Sequence, residues 1–199
     1  MKKLLFTIAL AVSAITVKAQ EIDFGVKGGV NFAKLQGDAV EDTDGRTGFH
    51  VGLTGEYMFN SSFGLQAEAV YSQQGLQSEA NGVESKLKLD YINIPILAKF
   101  YIADSGFSIE AGPQFGILVN DEFTQEGGLV DVEQDADAEE LDLSAGGGFA
   151  YKFKEGTSLE GFMISARYMI GLNNVFEDND TFGDDITNSN LQLSIGYKF

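Results

Sequence analysis

The chain has 199 residues, no cysteine, no tryptophan and a formal net charge of -17, so it is long enough for one acidic domain. The lack of cysteine excludes disulfides and thiolate metal sites. The excess of acidic residues argues against a nucleic-acid partner, which needs clustered lysine and arginine. The 24 glycines and 16 phenylalanines, with only two prolines, favour strands and tight turns over helices.

Residues 1–19 have the features of a secretory signal peptide. Lys2 and Lys3 precede an apolar core over residues 4–17, which is too short to cross a bilayer as a helix. Small residues around Ala19 suit cleavage, so we expect the mature domain to comprise residues 20–199. Removal of the leader lowers the basic count from 13 to 10 against 30 acidic residues, which gives the mature chain a net charge of -20.

Eight stretches of alternating apolar and polar residues follow, each ending at a break. Successive side chains of a strand point to opposite faces, so each stretch predicts a strand with one apolar face. The stretches are residues 22–35, 47–59, 62–75, 86–102, 106–119, 141–153, 158–173 and 190–199. The chain ends with the last one, and a terminal strand must pair with another strand to hide its edge. The simplest partner is the first strand, which would close a barrel.

Short and long breaks alternate strictly along the chain. The short turns are residues 60–61, 103–105 and 154–157, and the long polar connections are 35–46, 76–85, 120–140 and 174–189. All short turns would then lie at one end of the barrel and all long loops at the other, as in outer-membrane barrels with periplasmic turns and outer loops. The predicted fold is therefore all-β, an eight-stranded antiparallel up-and-down transmembrane β-barrel.

Alternation alone does not show which face lies inside. A soluble ligand-binding barrel has its apolar face inside, whereas a membrane barrel has it outside. The opposite face carries small and charged residues, which suit the narrow interior of eight strands, so we expect the apolar face to point outward. Phenylalanines also gather at the short-turn end of the apolar face and predict a periplasmic aromatic girdle. Its members are Phe24, Phe59, Phe63, Phe100, Phe107, Phe153 and Phe199.

Several stretches of these strands carry a resemblance to a known family. They are Leu65-Gln66-Ala67-Glu68 with Tyr71-Ser72-Gln73 and Gly75, Tyr91-Ile92-Asn93-Ile94-Pro95, Glu110-Ala111-Gly112-Pro113, Ala166-Arg167-Tyr168 and the terminal Gly196-Tyr197-Lys198-Phe199. Over the mature chain the sequence resembles the small porin-family outer-membrane β-barrel proteins of Gram-negative bacteria, relatives in architecture of the outer-membrane protein A and X barrels. The resemblance implies an outer-membrane location. It also implies that the terminal strand is read by the outer-membrane assembly machinery, but it does not imply a pore.

Charged residues on the inward face are the first candidates for a functional site. They are Lys27, Glu56, Glu68, Lys99, Glu110 and Arg167, of which Arg167 lies nearer the outer end by the predicted boundaries. Buried charges must be paired, so these residues predict an ion-pair network that plugs the lumen. The alternative is a path for protons or ions.

The third and fourth long connections are rich in carboxylates, which suit calcium or magnesium. Asp135, Asp137, Asp178 and Asp180 are candidates for weak cation binding. The alternative is a solvated, repulsive surface, and neither a specific metal site nor a cofactor is predicted.

The two prolines test the barrel, because proline cannot donate a ladder hydrogen bond. If the turn near Asp104 pairs its flanks symmetrically, Pro95 and Pro113 come almost opposite each other on neighbouring strands. We expect a ladder gap or a bulge there.

His50 is the only histidine and is expected to point into the lumen, away from lipid. No serine, histidine and acid constellation can be placed from the sequence, so no enzymatic activity is predicted. The predicted function is a structural or surface-interaction role for an outer-membrane barrel, with lipid and the assembly machinery as partners. A narrow porin for small solutes or ions and a soluble secreted ligand-binding barrel are the alternatives.

Overall fold

A computed structural model describes residues 22–37, 44–80, 83–102, 105–126, 132–134, 138–176 and 186–199. The predicted signal peptide lies outside these residues. The described residues form nine strands: β1 (Ile22–Gln36), β2 (Asp44–Asn60), β3 (Phe63–Ala80), β4 (Val83–Tyr101), β5 (Phe107–Glu126), β6 (Val132–Gln134), β7 (Leu141–Lys152), β8 (Phe162–Gly171) and β9 (Thr187–Lys198).

Eight of these strands close into an antiparallel ring. Each pairs with its neighbours in the order β1, β2, β3, β4, β5, β7, β8 and β9, and the short β6 adds only to the outer end of β5. β9 returns to β1 over the register from Gly25–Lys198 to Gln36–Thr187. The predicted eight-stranded barrel, closed by its terminal strand, is confirmed, and the ring has no open edge.

The strands are longer at the outer end than predicted. The predicted loop over residues 76–85 is wrong, because β3 and β4 remain paired up to Ala80 and Val83. β5 continues to Glu126, β2 begins at Asp44, and β9 begins at Thr187. Strand pairing uses backbone groups alone, so it can continue where polar side chains interrupt the alternation on which the prediction rested.

The turn between β7 and β8 is longer than the predicted residues 154–157. Two backbone hydrogen bonds, from Glu160 N to Thr157 O and from Phe162 N to Leu159 O, curl the chain before β8. Gly161 then adopts a φ of 83°, in the left-handed region that favours glycine. β8 therefore begins at Phe162 and not at residue 158.

Both prolines interrupt the ladder, as predicted. The β4–β5 register omits the pairs Ile96–Pro113 and Leu97–Gly112 and then resumes unchanged. The β3–β4 register omits Glu68–Pro95 and Ala69–Ile94 in the same way. Pro113 still pairs with Ala145 on β7, because a residue's N–H points toward only one neighbouring strand and proline lacks only that donor.

The apolar faces point outward, as expected. Leu53, Phe149 and Ile195 are 64%, 66% and 63% exposed, whereas the alternate positions are mostly polar and buried inside the ring. This arrangement is the reverse of a soluble ligand-binding barrel. Among the described residues, no helix is long and apolar enough to cross a membrane.

Candidate functional site

The six predicted inward charges all lie inside the barrel, each at most 4% exposed. Glu68 is the centre of the contacts. Lys27 Nζ donates to Glu68 Oε2 at 3.1 Å, and Arg167 donates to the same carboxylate from Nη1 at 3.0 Å and from Nη2 at 2.8 Å. Arg167 Nε also donates to Glu110 Oε1 at 2.8 Å. Arg167 thus bridges two glutamates, although its predicted position was nearer the outer end.

The contacts continue toward the short-turn end. Lys99 Nζ lies 3.6 Å from both Glu110 Oε2 and Glu56 Oε2, and it donates to Gln66 at 3.1 Å. Glu56 is also paired with Lys198. Lys198 was not among the predicted inward charges. We call these seven charged residues the ion-pair network: Lys27, Glu56, Glu68, Lys99, Glu110, Arg167 and Lys198.

The glycines of β7 make room for this network. Across the sheet, Lys99, Glu110, Gly148 and Arg167 are successive partners in one row, so Arg167 reaches Glu110 across a residue without a side chain. A Cβ on Gly148 would stand 2.2 Å from Ala166 O and 2.7 Å from Arg167 Cα. β7 therefore contributes space to the network, whereas each of the other seven ring strands contributes a charge.

His50 lies inside the barrel and makes two side-chain hydrogen bonds. Its Nδ1 lies 2.8 Å from Asn31 Oδ1 and its Nε2 lies 2.8 Å from Ser194 Oγ. Asn31 Nδ2 donates to Ser72 Oγ at 2.9 Å and to the carbonyl of Gln73 at 2.9 Å, which leaves Asn31 Oδ1 as the acceptor. His50 Nδ1 therefore carries the proton and Nε2 accepts from Ser194.

This serine, histidine and asparagine arrangement was missed in the sequence, because its members lie on three different strands. It has the order of donors and acceptors found in nucleophilic triads. However, Asn31, His50 and Ser194 are 0%, 1% and 6% exposed. These hydrogen bonds join β1, β2 and β9, the strands that meet where the barrel closes.

The outer mouth of the barrel is filled by apolar side chains, which we call the apolar cap. Its buried members are Leu35, Leu87, Leu89, Tyr91, Val175 and Ile186. The first four point inward from β1 and β4, and the last two come from the connection between β8 and β9. Val175 N donates to Ile186 O at 2.8 Å and Glu139 N donates to Val175 O at 2.8 Å, so two outer connections are joined over the mouth. The sequence did not reveal the cap, because two of its members lie in a predicted loop.

At the short-turn end, three of the predicted girdle residues, Phe59, Phe63 and Phe100, contact one another. The ring centroids of Phe59 and Phe63 are 5.3 Å apart, and those of Phe63 and Phe100 are 4.9 Å apart. Tyrosines extend the contacts, since Tyr151 lies 4.7 Å from Phe107 and 5.1 Å from Phe153. The ring of Phe199 lies 5.8 Å from Tyr197, and its backbone N donates to Phe24 O at 2.9 Å, which brings the chain end against β1.

The four predicted cation-binding residues, Asp135, Asp137, Asp178 and Asp180, lie outside the described residues. Within the part of the chain that the structure describes, no group of three or more histidine or acidic residues is placed to hold a metal ion. The described outer region carries one close surface ion pair, between Lys88 and Glu122 on the paired extensions of β4 and β5.

The chain belongs to the family of outer membrane protein beta-barrel domains, whose model matches residues 18–177. The family places the protein in the outer membrane. No curated protein matches the sequence.

Solved structures share the fold at low sequence identity. Neisserial surface protein A is 15% identical, with 88% of this chain and 97% of that chain covered and a TM-score of 0.55. The attachment invasion locus protein Ail of Yersinia pestis is 17% identical, with 90% and 99% covered and a TM-score of 0.52. The resemblance in sequence to eight-stranded outer-membrane barrels is thus confirmed in the fold.

Proposed function

We propose that the protein is a non-conducting outer-membrane barrel that acts as a structural element and through its outer surface. The proposal rests on one observation, that two groups of side chains occupy the interior of the barrel, one in each half. The ion-pair network fills the half toward the short turns, and the apolar cap fills the outer mouth. A narrow barrel filled by paired charges and by apolar side chains leaves no continuous polar path for a solute.

The outer extension of β3, β4 and β5 supports a surface role. These strands have 18, 19 and 20 residues, against 12, 10 and 12 for β7, β8 and β9, so one side of the barrel projects further. One face of the projecting sheet is apolar, with Leu76 and Phe123 packed against the cap. The other face carries the Lys88–Glu122 pair and meets water. A partner would bind this face of the projecting sheet or the acidic outer connections.

The net charge of the chain limits the charge that such a partner can have. Ail has been solved in complex with the heparin analogue sucrose octasulfate. A formal net charge of -17 argues against a polyanionic ligand here and favours a cationic or neutral surface partner.

The terminal strand, which ends in Phe199, and the girdle fit insertion by the outer-membrane assembly machinery into lipid.

No enzymatic function is proposed. The Ser194, His50 and Asn31 side chains lie inside the barrel, on the opposite side of the wall from lipid, so a lipid ester has no route to Ser194 Oγ. The described interior likewise suggests no organic cofactor.

The proposal is tested by recordings in planar bilayers with the mature chain refolded in detergent. Correct folding is first established by faster migration of the unboiled sample on an SDS gel, with the band appearing only when detergent is present. The wild type is expected to give no stable current steps. Stable steps that Glu68→Ala abolishes, and that the surface control Glu122→Ala leaves intact, would establish the narrow porin instead.

A further inference from the structure

Four buried polar side chains between the ion-pair network and the apolar cap have atoms without hydrogen-bond partners, although Asn188 Nδ2 donates to Gln74 Oε1 at 2.7 Å. They are Asn93 on β4, Asp142 on β7, and Asn188 and Asn190 on β9, which are 1%, 5%, 3% and 2% exposed. Both side-chain polar atoms of Asn93 and Asn190, together with Asp142 Oδ1 and Asn188 Oδ1, have no hydrogen-bond partner among the protein's own atoms. Buried polar groups are normally satisfied, so in the folded barrel these atoms bind ordered water or an ion.

Two of these side chains, Asn93 and Asp142, lie on either side of Gly116. Asn93, Gly116 and Asp142 are successive partners across β4, β5 and β7. A Cβ on Gly116 would stand 2.8 Å from Asn93 Oδ1 and 3.1 Å from Asp142 Cβ, so both side chains border the space that this glycine leaves open. Ser144 Oγ donates to Asp142 Oδ2 at 2.6 Å, which leaves Oδ1 as the unpaired carboxylate oxygen.

Asp142 also differs in its charge balance from the buried carboxylates Glu56, Glu68, Glu110 and Asp90. Each glutamate of the ion-pair network contacts at least two basic side chains, and Asp90 lies 3.4 Å from Arg46. Among the described residues, no ion pair joins Asp142 to a lysine, arginine or histidine. A buried carboxylate without a counter-charge is costly unless a cation accompanies it or it takes up a proton.

We propose that Asp142, Asn93, Asn188 and Ser144 hold a partly hydrated alkali-metal cation the size of sodium or potassium. The donors are carboxylate, amide and hydroxyl oxygens, which suit a hard cation. A single positive charge balances Asp142. A divalent ion would bring one more positive charge than Asp142 balances. The neighbouring ion-pair network already has an excess of positive charge, since it has three glutamates and four basic groups, Lys27, Lys99, Arg167 and Lys198. This interior site is distinct from the acidic outer connections and is independent of conduction.

The test compares thermal unfolding of the refolded mature chain in detergent with lithium, sodium, potassium, caesium or choline chloride at equal ionic strength. A bound ion stabilises the folded state by mass action, so the midpoint should be about 3 °C or more higher in sodium or potassium than in choline. Asp142→Asn, which keeps the shape of the side chain, should abolish this difference. Gly116→Ala should also abolish it, since its Cβ enters the proposed site.

Asp90→Asn is the matched control, because Asp90 is a buried carboxylate near the outer end of the barrel wall that already has Arg46 as its partner. It should keep the dependence on the cation. Equal midpoints in all five salts with the wild type would overturn the proposal, and so would a size preference that persists in Asp142→Asn. If the variants do not fold, the wild-type series still decides, because ionic screening at equal ionic strength does not distinguish cations by size.

Discussion

Glu68 is the residue on which the ion-pair network depends most, because it neutralises both Lys27 and Arg167. Glu68→Gln would leave two buried cations sharing fewer carboxylates, and we expect it to lower the free energy of unfolding by about 3–5 kcal/mol. Urea titrations in detergent, followed by the unboiled gel band, would measure the change. Glu122→Gln removes one partner of the surface pair with Lys88 and should cost no more than about 1 kcal/mol. Similar losses for both variants would contradict the importance of burial.

Alternation within single strands identified six of the charged residues that point inward, although Lys198 and Asp142 were not among them. It was not sufficient to predict which of them meet. The partners of Arg167 depend on the register between β7 and β8 and on the missing side chain at Gly148, and both require the folded ring. The contacts of His50 with Asn31 and Ser194 were unpredictable for the same reason, since polar residues on an inward face have many possible neighbours.

β7 is the element in which small side chains matter most. Gly148→Ala would place a methyl group 2.2 Å from the carbonyl of Ala166, and we expect it to lower the stability by about 1–3 kcal/mol through overpacking. Gly55→Ala is the control, because the nearest atom to its new Cβ would be a ring carbon of Phe24 at 3.6 Å. The same urea titration compares the two variants. A stable Gly148→Ala protein would show that the wall relaxes at this row.

β4 allows the depth of the barrel in the membrane to be measured. The chain has no tryptophan, so Phe100→Trp or Ile96→Trp introduces a single reporter on the outward face. The two positions lie about 13 Å apart along the strand. If the girdle lies at the membrane interface, tryptophan at position 100 should be quenched best by lipids brominated near the headgroup, and tryptophan at position 96 by lipids brominated near the chain ends. The same depth for both would contradict the predicted girdle.

At the outer ends of the strands, the pattern of apolar and polar residues no longer predicts where a strand ends. In the span, outward residues are apolar and inward residues are polar, so each strand can be recognised by itself. Beyond it, the inward face of β4 becomes apolar at Leu87 and Leu89, and the outward face carries Lys86 and Lys88. Residues 76–85 resembled a loop because they are mostly polar, although β3 and β4 stay paired up to Ala80 and Val83.

For the whole molecule, the proposal of a non-conducting barrel makes the network and the cap two closures in series, which gives a prediction that neither closure gives alone. Ile186→Asp places a charge in the apolar cap and should open it toward water, because a buried unpaired carboxylate is unfavourable. The pair Glu68→Ala and Arg167→Ala removes the central contacts of the ion-pair network. In planar bilayers each change by itself should leave the barrel silent, since the other closure remains. The triple variant should show stable current steps.

The control for the triple variant combines Ile186→Asp with Lys88→Ala and Glu122→Ala, which remove an ion pair outside the barrel. It should stay silent, because the interior network is intact. Current through the Glu68→Ala, Arg167→Ala protein alone would mean that the cap does not close the mouth. Current through Ile186→Asp alone would mean that the ion-pair network leaves a path. Serial closure explains why a barrel with a polar, highly charged interior need not conduct: an ion must break buried pairs in one half and enter an apolar layer in the other.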